Sequence, residues 1–493
     1  MEEFILLFDT SAMDTVMKTA FDEILDQVIE EKPDKERLET IKRRISTKYH
    51  LKRFPRNSDL LTYAMETRED IEELKKILRI RNVRSISGVN VISVMTAPFP
   101  CRHGACIYCP GGPSWGTPMS YTGREPASMR AIQNGFDPTL QLKSRIKQLE
   151  ATGHNAEKID LIVMGGTFNS TPKAYQDEFM LGIYEALNGE RSETIEEAKR
   201  KNETAKYRCV GLTFETKPDW ALEKHIVQML EYGVTRVEVG VQTLQEDVLK
   251  FVNRGHGVKE TVASFKALRD AGLKVTAHMM PGLPGTTPEI DIEDFRTLYY
   301  DPRFIPDEIK IYPTQVIENT PLAQMAVDGK YKPLTNEETF HIILEAKKMT
   351  PPYVRIKRAL RDLPINLVIG GATWGDMRKR IQEQMEQLNA VCKCIRCREV
   401  GHHIYKGNPP PDPETIDIRV RSYEASEGME HFISFEDPND ILIGFLRLRF
   451  PSKDIFIPEL TGSAIVRELH VYGSSLQIGG RDYESFQHRG YGK

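Results

Sequence analysis

Three cysteines in one short segment are the residues of this chain whose type and spacing most directly predict chemistry. Cys101, Cys106 and Cys109 are separated by four and then two residues, and a Pro-Gly-Gly turn follows them. A cubane iron–sulfur cluster held at every iron takes four thiolates. A run of three therefore predicts a cluster with one iron open to an outside ligand. A structural zinc site that recruits His103 is the alternative.

A second cysteine triplet predicts a zinc site. Cys392, Cys394 and Cys397 are followed closely by His402 and His403. Three thiolates and an imidazole suit tetrahedral zinc, which would stabilise an otherwise irregular segment. We take His402 as the fourth ligand, with His403 or another group left open. Neighbouring bases suit either phosphate contacts or a solvated rim; they are Lys393, Arg396 and Arg398.

Length and composition indicate an enzyme of a reducing compartment. The chain has 493 residues, which predicts two or three domains. Six of its seven cysteines lie in the two triplets, which favours metal binding over disulfides, and Cys209 lies in an apolar segment typical of a core strand. No apolar run approaches the ~20 residues of a membrane span, and the amino terminus lacks the basic start of a secretory signal. We expect a soluble, cytoplasmic protein without a membrane partner.

The middle of the chain alternates strand and helix patterns. Six apolar or β-branched runs are separated by segments of helical periodicity, of which the clearest are 140–149, 175–187, 222–232 and 258–271. The six strand-like runs are 88–95, 159–164, 209–214, 234–241, 273–280 and 308–312. This alternation predicts an α/β fold with a partial or full parallel barrel, whose working loops follow the strands.

Small and polar residues follow these predicted strands. Gly165, Gly166 and Thr167 would let a ligand's ammonium group approach the backbone closely. Glu215 could accept hydrogen bonds from ribose hydroxyls, and Gln242 ends the fourth run. A Pro-Gly-rich turn at 280–285 suits the flank of an adenine. Each signal alone is weak, but their order behind a three-cysteine loop favours one shared site.

The carboxy-terminal part carries a second chemical pattern. A proline-rich segment, 408–413, is typical of a domain boundary. Predicted strands at 415–423, 441–450 and 464–472 then lead to the Q-x-x-G-x-G pattern of 487–492, which is similar to that of GNAT acetyltransferases. There the backbone of a loop and helix start holds the pyrophosphate of acetyl-CoA. Because the chain stops inside this pattern, we expect a truncated GNAT domain and a longer intact protein.

Taken together, these motifs resemble the catalytic subunit of Elongator in its archaeal or bacterial single-protein form. The resemblance implies a partial (β/α) radical S-adenosylmethionine (SAM) barrel with a helical N-terminal region, a zinc-stabilised linker and an incomplete GNAT (α+β) domain. The implied boundaries are 1–85, 86–375, 376–413 and 414–493. The segments that carry the resemblance are the first cysteine loop, 120–126, 164–168, 310–313, 394–401, 467–473 and 487–492.

The resemblance also implies cofactors and their residues. The first triplet would hold a [4Fe-4S] cluster that binds SAM, beside Gly165, Gly166, Thr167, Glu215 and Gln242. Acetyl-CoA would lie against a second set, with Lys158 approaching from the barrel. The members of that set are Glu468, Leu469, His470, Val471, Gln487, Gly490, Tyr491, Gly492 and Lys493.

The implied reaction is the attachment of a carboxymethyl group to C5 of the wobble uridine of tRNA, with an electron donor for the cluster. A protein lysine acetyltransferase that uses the barrel as a scaffold is the alternative, and a non-catalytic RNA-binding subunit is a third hypothesis. Sequence leaves open whether the protein acts as a homodimer or in an Elongator-like assembly.

A basic block near the amino terminus is the candidate for holding the tRNA anticodon arm. Residues 32–56 contain ten Lys or Arg against three acids, although the whole chain has a net charge of −4. A solvated helix face would give the same pattern. Further candidates for the same role lie at the end of the barrel sequence; they are Lys310, Arg355, Lys357, Arg358 and Arg361.

Overall fold

The computed structural model describes residues 13–80, 85–361, 363–480, 485–487 and 489–492. Within them the helices are α1 (Thr15–Glu31), α2 (Lys35–Lys48), α3 (Asn57–Thr67), α4 (Ile71–Leu78), α5 (Pro126–Gln133), α6 (Pro138–Ala151), α7 (Lys173–Asn188), α8 (Ile195–Asn202), α9 (Glu223–Glu231), α10 (Glu246–Phe251), α11 (Val258–Asp270), α12 (Pro288–Tyr300), α13 (Pro321–Val327), α14 (Asn336–Lys348), α15 (Met377–Gln387), α16 (Ile395–Arg398) and α17 (Val400–Tyr405).

The strands of the same residues are β1 (Asn90–Met95), β2 (Lys158–Met164), β3 (Arg208–Thr216), β4 (Arg236–Gln242), β5 (Lys274–Met279), β6 (Glu308–Ile311), β7 (Val316–Ile317), β8 (Arg355–Arg358), β9 (Val368–Gly370), β10 (Asp417–Ala425), β11 (Gly428–Glu436), β12 (Leu442–Phe450) and β13 (Ile465–Val471). None of the helices in these described ranges has the length and apolarity needed to cross a lipid bilayer.

Seven parallel strands form an open half-barrel. Their order is β1-β2-β3-β4-β5-β6-β8, and each neighbouring pair of β1 to β6 is joined by a crossover through helices. All six strands predicted from sequence are confirmed. The seventh, β8, was missed because its sequence, Arg-Ile-Lys-Arg, has one apolar residue and no strand-like alternation long enough to recognise. The carboxyl ends of the strands share one rim, where ligands bind in such folds.

Polar side chains replace an apolar core on the concave side of this sheet. Glu238, Glu308 and Lys310 are buried there, while the apolar core lies between the sheet and the outer helices. Buried charges are costly unless they are paired. Their alternation along the strands therefore indicates that the concave face is built for polar ligands and not only for stability.

The amino-terminal helices form a small core of their own. Phe21, Ile24 and Leu25 of α1 pack with Leu60 and Leu61 of α3. Helix α2 begins after Asp34, whose carboxylate accepts the backbone N–H of Arg37 at 2.8 Å, a capping contact. Helix α2 ends at Lys48.

An antiparallel sheet of four strands, β10-β11-β12-β13, completes the described fold. Three of its strands agree with the sequence prediction, and β11 was missed. Strands β10 and β11 are joined by Ser426 and Glu427, which both have positive φ (49° and 61°), as a tight hairpin turn requires. The turn contains no glycine or asparagine at these positions, so its sequence carries no hairpin signal.

Buried ion pairs join this sheet to the barrel. Arg467 of β13 donates to Asp307 at 2.9 and 2.7 Å and to Glu430 of β11 at 2.7 Å. Glu430 also accepts from Arg269 of α11 at 2.9 Å, and Arg449 of β12 donates to Asp270 at 2.6 Å. These side chains are almost completely buried. The network fixes β13 against the amino-terminal ends of the barrel strands, because buried charges tolerate little displacement from their partners.

Candidate active site in the half-barrel

One large cavity extends from the first cysteine loop to the carboxy-terminal sheet. Its volume is about 1390 Å³, and it follows the concave face of the half-barrel. Cys101, Cys106 and Cys109 line one part, and residues of β13 line another. The other predicted site residues on its wall are Lys158, Gly166, Thr167, Glu215, Gln242, Glu468, Leu469, His470, Val471, Gln487, Gly490 and Gly492.

Three predicted site residues lie elsewhere. Gly165 precedes the cavity wall and packs against Thr96, and the ring of Tyr491 packs edge-on against Phe435 at 5.1 Å between ring centres. Lys493 is outside the described residues.

Polar side chains surround the first cysteine triplet. His103 Nε2 lies 3.5 Å from Cys106 Sγ, and a guanidinium nitrogen of Arg254 lies 3.8 Å from the same sulfur. Ser120 Oγ lies 3.3 Å from Cys109 Sγ. Burial raises the pKa of Cys109 to about 11. The Arg254 guanidinium would compensate part of the negative charge of a thiolate-ligated cluster, so the residues present fit such a group.

The two triplets differ in the spacing of their sulfur atoms. The sulfurs of Cys392, Cys394 and Cys397 all lie within 4.8 Å of one another, and the first triplet forms no such compact group in the part of the chain that the structure describes. Three thiolates on one tetrahedral zinc stand ~3.8 Å apart, given Zn–S bonds of about 2.3 Å. Ligands of a cubane sit on different irons and stand further apart. The spacing therefore favours a cluster at the first triplet and a single ion at the second.

His103 does not act as a spare metal ligand in this geometry. Its Nδ1 faces Lys217 Nζ at 3.0 Å. Burial and then the charge of Lys217 lower the pKa of His103 to about 4, so the ring is neutral near pH 7. The ring instead places Nε2 beside Cys106.

Backbone geometry opens space next to the first triplet. Gly165 and Gly166 have φ of 130° and 86°. A side chain at Gly165 would meet Thr96 Oγ1 at 2.1 Å, which only glycine avoids. Gln242 also has a positive φ of 76°, and its Oε1 is buried without a donor among the described residues. A buried acceptor without a partner is costly and indicates a place for a ligand's donor.

Glu215 is held rather than free. Its Oε2 accepts the hydroxyl of Tyr121 at 2.9 Å, and Lys310 Nζ lies 3.8 Å from its other oxygen. One carboxylate oxygen therefore already has a strong donor. This geometry leaves the other side of the carboxylate facing the cavity.

The barrel interior holds a group of charged residues that sequence reasoning did not combine. Glu238 accepts from His278 Nε2 at 3.0 Å and from Lys357 at 3.3 Å, and it also contacts Lys310. Lys357 lies 3.2 Å from Glu308 as well. Burial would raise the pKa of Glu238, but Lys310 and Lys357 lower it well below its usual range. No local motif marks this group, because its members come from different strands.

The basic residues of this region are committed to internal partners. Lys310 and Lys357 pair with buried carboxylates, and Arg355 pairs with Glu399 and donates to Tyr472 OH at 3.0 Å. Arg361 donates to the carbonyl of Ser120. That these residues hold the tRNA anticodon arm stays a prediction: each has an internal partner, and all four lie on the cavity wall.

Strand β13 and the last described residues form the far wall of the cavity. Lys158 Nζ donates to Gln487 Oε1 at 2.9 Å, and Gln487 Nε2 donates to the carbonyl of Val471 at 3.0 Å. Glu468 accepts from Lys274 at 3.0 Å, and His470 Nε2 lies 2.7 Å from the carbonyl of Ser87. Residues 485–487 and 489–492 form turns rather than the predicted helix start.

Strand β13 lies at one edge of the four-stranded sheet. It pairs with β12, and no other strand of the described residues pairs along its remaining edge. Apart from the Val471 carbonyl, which accepts from Gln487, its backbone groups on that edge could bind a ligand that extends along the strand. Leu469 is half exposed at this edge.

A lysine, and not the predicted histidine, is the charged neighbour of the second triplet. His402 Nε2 lies 3.1 Å from Glu399 Oε1, and His403 Nε2 lies 3.0 Å from the carbonyl of Pro409, so both rings point to other partners. Lys347 Nζ is buried 3.7 Å from Cys397 Sγ. The prediction of His402 as fourth ligand is not supported by its position. Three sulfurs with a neighbouring ammonium fit one divalent ion whose thiolate charge is partly balanced.

The three bases around this triplet have different surroundings. Arg398 is buried, lies 3.0 Å from Glu436 and donates to the carbonyl of Pro352 at 2.8 Å. Lys393 is exposed. Arg396 lines the large cavity. Only the last two are placed for phosphate contacts.

Half of the ten bases in the amino-terminal basic block form ion pairs with acids. Lys32, Arg37 and Lys48 each form an ion pair with a carboxylate of α1 or α4. Lys35, Arg43 and Lys52 are exposed and form no side-chain contact within the described ranges. The block is thus less available as a cationic surface than its composition predicts.

Comparisons with known proteins identify the family. Residues 100–298 match the radical SAM superfamily, 306–387 the Radical_SAM C-terminal domain, and 17–86 the ELP3 N-terminal domain. The chain is 46% identical to the tRNA uridine(34) acetyltransferase of Methanocaldococcus infernus, over 97% of this chain and 90% of that protein. This chain belongs to the Elp3 family. It is thus a radical SAM enzyme, as the first cysteine loop predicts.

Other Elp3 proteins agree. Elongator complex protein 3 of Homo sapiens is 43% identical over 82% of this chain and 75% of that protein. The solved structure of the archaeal M. infernus Elp3 with an N-terminal deletion has a TM-score of 0.73 and 42% identity, and covers 83% of this chain and 89% of that chain. The half-barrel with its carboxy-terminal sheet is therefore the Elp3 architecture.

Proposed function

We propose that this Elp3-family enzyme places a carboxymethyl group on C5 of the wobble uridine of tRNA, using acetyl-CoA as the carbon source. The observation that carries the proposal is the single cavity shared by the first cysteine loop and β13. Formation of a carbon radical on the acetyl group and its addition to uridine need one enclosed space, because a primary radical reacts with any group close to it. The relatives' printed name, tRNA uridine(34) acetyltransferase, supports the substrate.

Cys101, Cys106 and Cys109 would hold a [4Fe-4S] cluster, which together with SAM supplies a 5′-deoxyadenosyl radical able to take hydrogen from the acetyl methyl group. Gly166, Thr167, Glu215 and Gln242 would contact SAM. These residues orient the ligand and exclude water from it; the unpaired Oε1 of Gln242 supports this role.

Acetyl-CoA would lie along the free edge of β13, with Lys158 and Gln487 near its polar part. Zinc would be held by Cys392, Cys394 and Cys397, whose compact sulfurs support a single ion. The reaction also requires an electron donor. A cytoplasmic place of action stays a prediction from sequence.

The test uses the intact protein reconstituted with iron and sulfide without oxygen. Reductant, SAM, acetyl-CoA and tRNA are added, and the nucleosides are analysed by mass spectrometry. Carboxymethylated uridine that requires all four additions supports the proposal. Acetylation of protein lysine without a need for SAM would instead support the acetyltransferase alternative, and it would overturn the proposed tRNA reaction.

A further inference from the structure

His278 and Glu238 form a pair in the shared cavity that no step considered so far uses. His278 is near the end of β5, and Glu238 is on the neighbouring strand β4. His278 Nε2 lies 3.0 Å from Glu238 Oε2, and both residues line the cavity. Ligand atoms of Glu215, Glu238 and His278 lie within 4.8 Å of one another, so the pair adjoins the proposed SAM contact.

The hydrogen bond determines which ring nitrogen carries the proton. Glu238 is ionised, because Lys310 and Lys357 outweigh the effect of burial on its pKa. An ionised carboxylate accepts, so Nε2 must carry the hydrogen and Nδ1 keeps its lone pair. Burial and the charge of Lys310 lower the pKa of His278, which keeps the ring neutral. Nδ1 has no donor among the described residues.

Two cations lie next to this pair and can stabilise negative charge that develops during a reaction. Lys310 and Lys357 both contact Glu238, on the same concave face as His278. The ring edge of His278 also meets Tyr312 at 5.4 Å between ring centres, which limits rotation of the imidazole. A carboxylate-oriented neutral imidazole with nearby cations is the arrangement of a general base whose substrate develops negative charge.

We propose that His278, oriented by Glu238, is the general base that activates water for hydrolysis of the CoA thioester in the shared cavity. Water gives a proton to Nδ1 as its oxygen bonds to the thioester carbonyl carbon. The carbon–sulfur bond then breaks, and the departing CoA thiolate takes the proton from the imidazolium. The products are a carboxylic acid, which ionises, and CoA thiol. The step needs no oxidant or reductant.

This inference rests on the proposed function, since the thioester is the adduct that must lose CoA to leave a carboxymethyl group. His278 is the catalytic residue of this step. Glu238 is a positioning residue, because it acts on water only through the imidazole. Of the other histidines on the cavity wall, His103 uses both ring nitrogens on neighbouring groups, and His470 Nε2 lies against the Ser87 carbonyl and not against a carboxylate that could orient the ring as a base.

The test compares wild-type protein with His278→Ala and the matched control His225→Asn. His225 is another half-buried histidine, which packs on Trp220 outside the cavity. In reactions with SAM, acetyl-CoA and tRNA, 5′-deoxyadenosine, free CoA thiol and tRNA mass are measured together. We expect His278→Ala to form deoxyadenosine while CoA release falls by about 100-fold or more, and tRNA to accumulate a CoA-bearing adduct. His225→Asn keeps both products.

Added imidazole should restore CoA release to His278→Ala, which a purely structural defect would not allow. Glu238→Gln should lower kcat for CoA release with KM for acetyl-CoA unchanged; a loss of fold would change KM and deoxyadenosine together. Normal CoA release by His278→Ala, or parallel loss of deoxyadenosine without rescue, overturns the inference. Failure of the proposed function is distinguishable, since the wild-type protein itself would then give no carboxymethylated uridine.

Discussion

The two cysteine triplets hold their sulfur atoms at different spacings, which suit different metal groups. In the sequence the triplets differ in position, in the spacing of their first two cysteines and in the residues around them. In the folded chain the second triplet is compact enough for one ion, and the first is not. A cluster spreads its ligands over several irons, whereas zinc gathers them on one.

At Cys106, replacement by serine is expected to remove the cluster. The Ser hydroxyl is a poor substitute for a buried thiolate, so iron and sulfide fall to near zero and 5′-deoxyadenosine formation stops. Iron analysis and product chromatography measure both. Cys209→Ser is the matched control, because Cys209 is partly buried in β3 and donates to the carbonyl of Gly211, away from the triplets. Retained iron in Cys106→Ser would contradict the assignment.

Lys158 provides a test of the acetyl-CoA wall. Lys158→Met removes the ammonium that donates to Gln487 and faces the cavity. We expect the Kd for acetyl-CoA to rise about tenfold, which corresponds to ~1.4 kcal/mol, within the range for one charged hydrogen bond. Titration calorimetry measures it. Lys143→Met, an exposed lysine on α6, should leave Kd unchanged; an equal change in both variants would argue against a specific contact.

At the scale of elements, we expect the conformation of the segment around α16 to depend on a metal bound by its cysteines. Cys394 immediately precedes α16, whose Ile395 packs with Val400 and Phe432 under the carboxy-terminal sheet. A metal that joins Cys392, Cys394 and Cys397 would connect α14, through Lys347, to this segment. Metal binding at such sites contributes directly to folding.

Cys394→Ser should therefore lose about one zinc per chain and keep the iron of the first triplet. Zinc and iron are measured by mass spectrometry of the metals, and proteolysis reports opening of the segment 388–413. His402→Ala is the informative companion, because its ring contacts Glu399 and not the sulfurs. Loss of zinc in that variant would restore His402 as a ligand.

Helix α2 and the residues after it contain cations of two kinds. Replacing the unpaired Lys35, Arg43 and Lys52 by alanine should weaken tRNA binding and reduce the slope of log K against log salt by about two to three, as three lost phosphate contacts predict. Filter binding across a salt series measures this. The matched triple Lys32, Arg37 and Lys48 to alanine removes equal charge from cations already held by carboxylates. Equal losses in both triples would indicate a diffuse field instead of contacts.

At the scale of the whole molecule, buried ion pairs fix the barrel and the carboxy-terminal sheet relative to each other, and both contribute to the cavity wall. Arg467 pairs with Asp307 from the barrel and Glu430 from the sheet. Removing one member of such a network leaves the others unpaired in a medium that solvates them poorly. Loss of one member would therefore destabilise both the barrel and the carboxy-terminal sheet, since each contributes partners to the network.

Arg467→Met is expected to lower the free energy of unfolding by about 3–5 kcal/mol. Urea unfolding followed by tryptophan fluorescence measures it. Arg303→Met, which removes an exposed pair with Asp301, should cost less than about 1 kcal/mol. If the two variants had the same free energy of unfolding, the buried network would not be what fixes β13 against the barrel.

Local patterns were sufficient for much of the architecture. The apolar runs of β1 to β6, the first cysteine loop and the glycines after β2 are properties of neighbouring residues, so periodicity and spacing reveal them. Strands β8 and β11 were missed because one is short and charged and the other follows a turn without the usual residues.

The chain's residue order specified the cysteine loops, the strand–helix alternation and the family resemblance, since these depend on residues close together in sequence. Tertiary structure decided the rest. It placed His278 beside Glu238, turned His402 to Glu399, buried Lys310 on a carboxylate, and brought β13 to the same cavity as Cys101. Each depends on contacts between distant segments, where the cost of burying a charge selects its partner and no local pattern records the choice.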